Sequence, residues 1–254
     1  MEIKEQIILV TGASRGLGAA IAKAFGRVGA KVVVNYFTNK GKAEEVVEQI
    51  GSDHALAIKA DVRSQEEVNA LFIKAKKHFR KPITTIVNNA LIDFTFNGEL
   101  RNKLDSIKWS EFETQFEGSV KAAFHTLQAG RADMVKQKFG RIINIGTNLV
   151  QHPVVPYHDY NTGKAALLGF TRSMAKELGP DGIAVNMVSG GLLSKTDASA
   201  ETPDAVFELI KEGTPLRKVT TPEDVADVIL FFASPWSRAV TGQNLVVDGG
   251  LVMD

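Results

Sequence analysis

The stretch Ile7-Ile8-Leu9-Val10-Thr11-Gly12-Ala13-Ser14-Arg15-Gly16-Leu17-Gly18, continued by Ala19, Ile21, Ala22 and Phe25, decides how the rest of the chain is read. The apolar run Ile7 to Val10 predicts a strand buried on both faces, and the apolar spacing after Gly18 predicts an amphipathic helix. Between the two, glycines allow a tight turn and a close backbone approach to a ligand. The first turn of the helix offers unpaired N–H groups and a partial positive charge. Strand, glycine loop and helix in this order suit a pyrophosphate, so Gly12, Ser14, Arg15, Gly16, Leu17 and Gly18 are candidate cofactor-binding residues. The alternative for the same residues is a purely structural strand-to-helix turn.

Outward from this stretch, short β-branched runs alternate with longer amphipathic ones. Strands are expected at Ile7 to Val10, Lys31 to Asn35, Ala55 to Lys59, Ile83 to Asn88, Arg141 to Ile145, Ala184 to Val188 and Asn244 to Val247. Helix starts are expected at Ser64 and Ser110, each with Glu three residues on, and at Thr202-Pro203 and Thr221-Pro222. Gly29, Gly51 and Gly179-Pro180 predict helix ends. A βαβα series without linker or repeat reads as an α/β protein. We expect one doubly wound Rossmann-type domain over residues 1–254, with a central parallel sheet of about seven strands and helices on both faces. The long polar spacing from Leu192 to Pro215 is expected to be a substrate lid, with Leu192, Leu193 and Phe207 as apolar residues whose simplest role is packing.

The 254 residues carry 30 Lys+Arg against 29 Asp+Glu, a formal net charge of +1, which argues against nucleic acid as the main partner. Cysteine is absent, which excludes disulfides, thiolate metal sites and cysteine nucleophiles. The five histidines follow no metal-ligand spacing, so no metal is expected. The charged start Met1 to Gln6 does not read as a signal peptide, and no apolar run approaches the roughly 18 residues of a membrane span, so a cytoplasmic protein is expected.

Tyr160 and Lys164 stand at i,i+4, on one face of a helix if they share one. An ammonium beside a phenol favours the phenolate, and such a pair suits proton transfer to a carbonyl oxygen. Cofactor choice is read from charge after the second strand. A carboxylate there would bind ribose hydroxyls and repel a 2′-phosphate, and Asn35-Tyr36-Phe37-Thr38-Asn39-Lys40 contains none. Arg15 and Lys40 are positioned to meet that phosphate, which predicts NADP(H) rather than NAD(H).

The spacing Thr11-Gly12-x-x-x-Gly16-x-Gly18, with Asp61-Val62, Asn88-Asn89-Ala90, Tyr160-x-x-x-Lys164 and Val247-Asp248-Gly249-Gly250 in that order, resembles the short-chain dehydrogenase/reductase family over essentially the whole chain. Asn35-Tyr36 and Val240-Thr241-Gly242-Gln243 are similar to its 3-oxoacyl-[acyl-carrier-protein] reductase branch. The resemblance implies an NADPH-dependent reduction of a carbonyl to a secondary alcohol. Its substrate would be a small molecule, with a 3-oxoacyl thioester on acyl carrier protein or coenzyme A as one form. It implies Asp61 and Val62 at the adenine, and Asn88, Asn89, Ala90, Asn35, Tyr36, Gly191 and Thr196 around the cofactor. Lys164 would bind ribose as well as tune Tyr160. Thr147 stands where the family has a serine that orients the substrate oxygen, and Ser119 where it has an asparagine of a proton relay. Leu91 replaces a glycine and Gly190 a proline, and Lys195 precedes Thr196 where the family's threonine falls. A homotetramer or homodimer is also implied, with Val120, Ala123, Phe124 or the last strand at its interfaces.

Two other readings stand beside this one. Gly12 to Gly16 also fits G-x-S-x-G, the nucleophile elbow of hydrolases, but no histidine follows His158 to serve as its base. A catalytically impaired NADP(H)-binding sensor is favoured by Ser119 and Leu91 and opposed by Tyr160, Lys164 and Thr147.

Overall fold

In a computed structural model, the structure describes residues 1–194 (without the Glu99 side chain), 196, 199–200 and 202–253. Seven parallel strands form one sheet in the order β3-β2-β1-β4-β5-β6-β7. They are β1 (Ile7–Val10), β2 (Lys31–Tyr36), β3 (Ala55–Lys59), β4 (Thr85–Asn88), β5 (Gly140–Thr147), β6 (Ile183–Gly190) and β7 (Asn244–Val247). The helices are α1 (Gly16–Arg27), α2 (Lys40–Ile50), α3 (Gln65–Phe79), α4 (Trp109–Phe116), α5 (Ala122–Gln137), α6 (His158–Leu178), α7 (Asp204–Gly213) and α8 (Pro222–Ala233). The expected α/β Rossmann architecture is the one observed.

Alternation along each strand distributes the helices between the two faces. Ile8, Val10, Val32 and Val34 pack with Ile21, Phe25, Val46 and Ile229 of α1, α2 and α8. Ile7, Leu9 and Val33 face the other way, onto Leu71, Leu127, Met134 and Leu178 of α3, α5 and α6. Every residue of β1 is buried, as its unbroken apolar run requires.

Several element ends differ from the sequence expectation for local reasons. β5 and β6 each run on to Thr147 and Gly190, because the two strands pair along their whole length. β4 begins at Thr85, two residues later than expected: Thr84 instead turns its hydroxyl to the β1 backbone. Helix α4 starts at Trp109, not after Ser110, since the Glu111 carboxylate accepts the N–H of Lys108 at 3.0 Å and makes Lys108 the cap. Pro203, not Thr202, caps α7. Ser64 and Thr221 cap α3 and α8 as expected, their hydroxyls accepting the Glu67 and Asp224 N–H groups. Among the described residues, no helix is long and apolar enough to cross a membrane.

Candidate active site

Connections from β1 run one way across the sheet and those from β4 the other, so a crevice opens beyond the carboxyl ends of these two neighbours, where such sheets bind ligands. Thr11 ties its walls together. Its N–H donates to Val87 O at 3.0 Å, and its hydroxyl accepts the N–H groups of Asn89 and Ala90 at 2.9 and 3.0 Å. Gly12 has φ +61°, and a Cβ there would stand 2.9 Å from the Ala90 backbone. A Cβ on Gly18 would strike Gly12 O and come within 2.6 Å of Asn89 Nδ2. Arg15, exposed and extended, caps α1, whose first turn carries no acidic residue. A narrow backbone cradle under an uncompensated helix N-terminus fits a pyrophosphate group.

Several predicted cofactor residues have structural partners around this cradle. Asn35, buried, accepts the Gly12 N–H at 3.2 Å and donates to Ala60 O at 3.0 Å. Asn89 donates to Thr11 O and Gly12 O. Asn88 donates to Asn144 Oδ1 and accepts from Thr126 Oγ1, both at 2.8 Å, while Asn144 donates to Thr171 Oγ1 at 2.8 Å. That chain of side chains joins β4, β5, α5 and α6 below the crevice. Tyr36 is buried in the core, and Lys40 lies 3.4 Å from Glu44, an exposed i,i+4 pair. Asp61 receives a bidentate guanidinium from Arg63 at 2.9 and 3.0 Å, which, first among several causes, holds its carboxyl below the ordinary range. Val62 is buried, its carbonyl 3.2 Å from His125 Nδ1. Gly191 sits between Asn148 and Asp248. Thr196 lies against the glycine loop: a Cβ on Gly16 would be 3.8 Å from its own Cβ. Lys195 falls outside the described residues.

Tyr160 and Lys164 lie in the first two turns of α6, beside the end of β5. The Tyr160 side chain is hydrogen-bonded to that of Thr147, and Lys164 Nζ donates to Ile145 O at 2.7 Å, 5.6 Å from the Tyr160 ring centroid. Sequence reasoning expected the ammonium to pull the phenol down. Here burial dominates: the phenol is pushed well above its ordinary range, and the ammonium is pushed down to about 8. Both groups have left water, and the ammonium faces a carbonyl, so desolvation outweighs their mutual influence. Ser119 is buried within a π-helical turn, Glu117–Lys121, that interrupts the run from α4 to α5. With Thr11, Asn88 and Lys164 it lines a cavity of about 10 Å³, room for roughly one water.

The segment after β4 holds what the sequence reading missed. The Phe94 ring stacks on Tyr160 with centroids 4.7 Å apart and planes 26° apart, and Phe96 meets Tyr160 edge-on at 5.4 Å. Arg101 lies 4.4 Å from the Phe94 centroid and pairs with buried Asp159 at 2.6 Å. Tyr157 accepts the Gly98 N–H at 2.8 Å. Neither helical nor strand periodicity marks residues 91–108, so the one available signal was the aromatic spacing of Phe94 and Phe96. Leu91 is 38% exposed at the start of this segment. His152 and His158 are exposed, Leu193 packs on the core, and of the candidate interface residues Ala123 is core, Val120 packs on it, and Phe124 is 43% exposed. No group of acidic or histidine side chains able to hold a metal occurs among the described residues.

The family model described as Enoyl-(Acyl carrier protein) reductase matches residues 12–252. A 3-oxoacyl-[acyl-carrier-protein] reductase of Synechocystis sp. is 36% identical over 252 residues, covering 98% of this chain and 97% of the relative. The FabG 3-oxoacyl-[acyl-carrier-protein] reductases of Pseudomonas aeruginosa and Aquifex aeolicus are 34% and 33% identical, covering 100% and 99% of this chain and all of each relative. With the glycine cradle, the switch-point crevice and the Tyr160–Lys164–Thr147 group in one fold, the chain belongs to the short-chain dehydrogenase/reductase family, oxidoreductases acting on C=O and CH–OH groups.

Proposed function

We propose that this protein reduces a ketone to a secondary alcohol with NADPH, its acceptor being a 3-oxoacyl thioester carried on acyl carrier protein or coenzyme A. The observation that carries this reading is the contact between the Tyr160 and Thr147 side chains, one helical turn from Lys164 and at the mouth of the crevice that begins at the glycine cradle. The relatives' names specify a 3-oxo group and the family description an enoyl group; a phenol paired with a hydroxyl suits proton delivery to oxygen, which favours the former.

Bound in the cradle, NADPH supplies the hydride that goes to the carbonyl carbon. The α1 N-terminus and the backbone from Gly12 to Gly18 would hold its pyrophosphate, and exposed Arg15 its 2′-phosphate. Thr147 orients the acceptor oxygen, and Tyr160 gives it the proton. A raised phenol keeps Tyr160 in its proton-donating form at neutral pH, which suits reduction. Lys164 reaches the ribose and, with Ser119 and a water in the cavity between them, returns a proton to Tyr160. Asp61, with Arg63 on its carboxylate, borders the adenine. The expected lid 192–215, of which 195, 197, 198 and 201 lie outside the described residues, would close on the acceptor, with Thr196 against the glycine loop. We place the protein in the cytoplasm, as a single domain working in a homotetramer or homodimer.

The test is NADPH oxidation followed at 340 nm by the usual absorbance assay with 3-oxoacyl thioesters, diketones and cyclic ketones, beside a Tyr160→Phe variant. The expected result is turnover that falls by roughly 10²–10⁴-fold in the variant while NADPH binding persists. Tight NADPH binding with no turnover, unchanged by Tyr160→Phe, would instead select a redox sensor. That outcome has its own structural motive, since Phe94 and Phe96 cover the phenol.

A further inference from the structure

Proton delivery from Tyr160 needs a carbonyl oxygen at its hydroxyl, and in this structure protein side chains occupy the approach. The Tyr160 ring is 6% exposed. Phe94 lies along it at 4.7 Å and Phe96 meets it edge-on at 5.4 Å, while Arg101 and Tyr157 hold Phe94 from its other sides. The cavity lined by Ser119 and Lys164 has about 10 Å³, room for one water and not for a ketone.

Residues 91–108 supply this cover. They carry one short helical turn, Gly98–Leu100, and send Leu100 and Leu104 into water, 84% and 88% exposed, so burial of those side chains does not hold the segment down. Asp93 at φ +43° and Gly98 at φ +55°, on either side of the two rings, are left-handed positions where the chain can pivot. What fastens the segment is Arg101. Its guanidinium lies 2.6 Å from Asp159, 3.9 Å from Glu111 and 4.4 Å from the Phe94 centroid. Asp159 is 2% exposed and precedes Tyr160 in α6, so the pair ties the cover to the helix that carries the phenol. One Asp159 oxygen has no hydrogen-bond partner among the described residues, so donors do not fully enclose the carboxylate, and water entering as Arg101 withdraws would solvate it.

We propose that residues 91–108 are an autoinhibitory plug: Phe94 and Phe96 close the acceptor site over Tyr160, and the Arg101–Asp159 pair is the latch that sets the fraction of molecules open to a ketone. The inference rests on the reading of Tyr160 as proton donor and adds to it a closed state that the acceptor must displace. Because the acceptor meets open molecules only, its apparent KM is the intrinsic value divided by the open fraction. Weakening the latch therefore lowers KM and leaves kcat unchanged, the reverse of what losing a merely structural contact does.

The experiment assays the N-acetylcysteamine thioester of 3-oxobutanoic acid at saturating NADPH in wild type, Arg101→Gln, Arg101→Lys and Phe94→Ala. Arg101→Gln is expected to lower the KM for the thioester about tenfold, the worth of one charge-assisted hydrogen bond, with kcat within twofold. Phe94→Ala removes the cover, keeps the pair and lowers KM likewise. Arg101→Lys keeps the charge without the fork and falls between. Hydrogen–deuterium exchange in the free protein reads the latch without turnover: amides of residues 94–104 exchange about tenfold faster in Arg101→Gln, and those of β4 and β5 keep wild-type rates. A KM raised or unchanged in Arg101→Gln, or exchange at 94–104 no faster than in wild type, overturns the plug. If no protein reduces the thioester, exchange decides alone. Acceleration confined to 94–104 upholds the latch while the reductase reading fails; equal or uniformly faster exchange overturns it.

Discussion

Replacing Lys164 by Met removes a buried charge, and the structure sets both the size and the pH dependence of the result. Lys164 is 4% exposed, and burial lowers its ammonium from 10.5 to about 8. A gap of that size corresponds to about 3 kcal/mol of destabilisation at pH 7, where the folded protein holds a proton in a place that disfavours it. Between the two values the unfolded chain binds more protons than the folded one, so wild-type stability from this group is lowest below pH 8. It rises with pH and is fully recovered only above 10.5. From pH 7 to pH 9.5 the recovery is about 2 kcal/mol. Met fills a similar volume, but it gives up the hydrogen bond to Ile145 O at 2.7 Å, a loss of about 1 kcal/mol. Lys164→Met is therefore expected to be inactive and more stable than wild type by about 2 kcal/mol at pH 7, roughly 4–8 °C in Tm for a chain of this size. Near pH 9.5 the gain should vanish. Urea unfolding followed by circular dichroism at both pH values measures it, and other titrating groups cancel in the difference between the two proteins. A variant no more stable than wild type at pH 7, or a gain equal at both pH values, would refute the claim that this lysine is held at an electrostatic cost.

Thr147→Ser keeps the hydroxyl next to Tyr160 and should hold kcat within severalfold, whereas Thr147→Val should lower it by roughly 10²-fold, read as NADPH oxidation under saturating acceptor. Arg15→Ala should raise the KM for NADPH about tenfold and leave that for NADH unchanged, since only the former has a 2′-phosphate for the guanidinium; equal effects on both would remove Arg15 from cofactor selection. Asn144→Ala strips Asn88 of its acceptor and Thr171 of its donor inside the core. It should cost about 2–4 kcal/mol, measured as a fall in urea midpoint with the slope preserved.

The run Ile7 to Gly18 announced the first βα unit because each of its signals is local: branched apolar residues, glycines at a turn, and helical spacing immediately after. Burial on both faces makes β1 read as a continuous apolar segment, which is why it was delimited by sequence to the residue; β3 and β7, only partly buried, were delimited by their short β-branched runs. The ends of β5 and β6 were set by pairing with each other across the sheet, information that no window along the chain contains.

At the site, residue type and spacing brought Tyr160, Lys164 and the glycine loop to attention, and the family resemblance brought Thr147, since spacing and chemistry are sequence properties. What those groups experience was decided by the fold. Asn35 and Asn88 became braces because their amides were enclosed among backbone and side-chain partners supplied by distant strands. The phenol rose where a segment with no periodicity of its own laid Phe94 and Phe96 against it, fastened by a contact between Arg101 and Asp159 across 58 positions of chain, and the ammonium fell because burial beside the end of β5 took it out of water. Local chemistry fixes which groups are available; desolvation and packing, which depend on everything brought near them, fix how they behave.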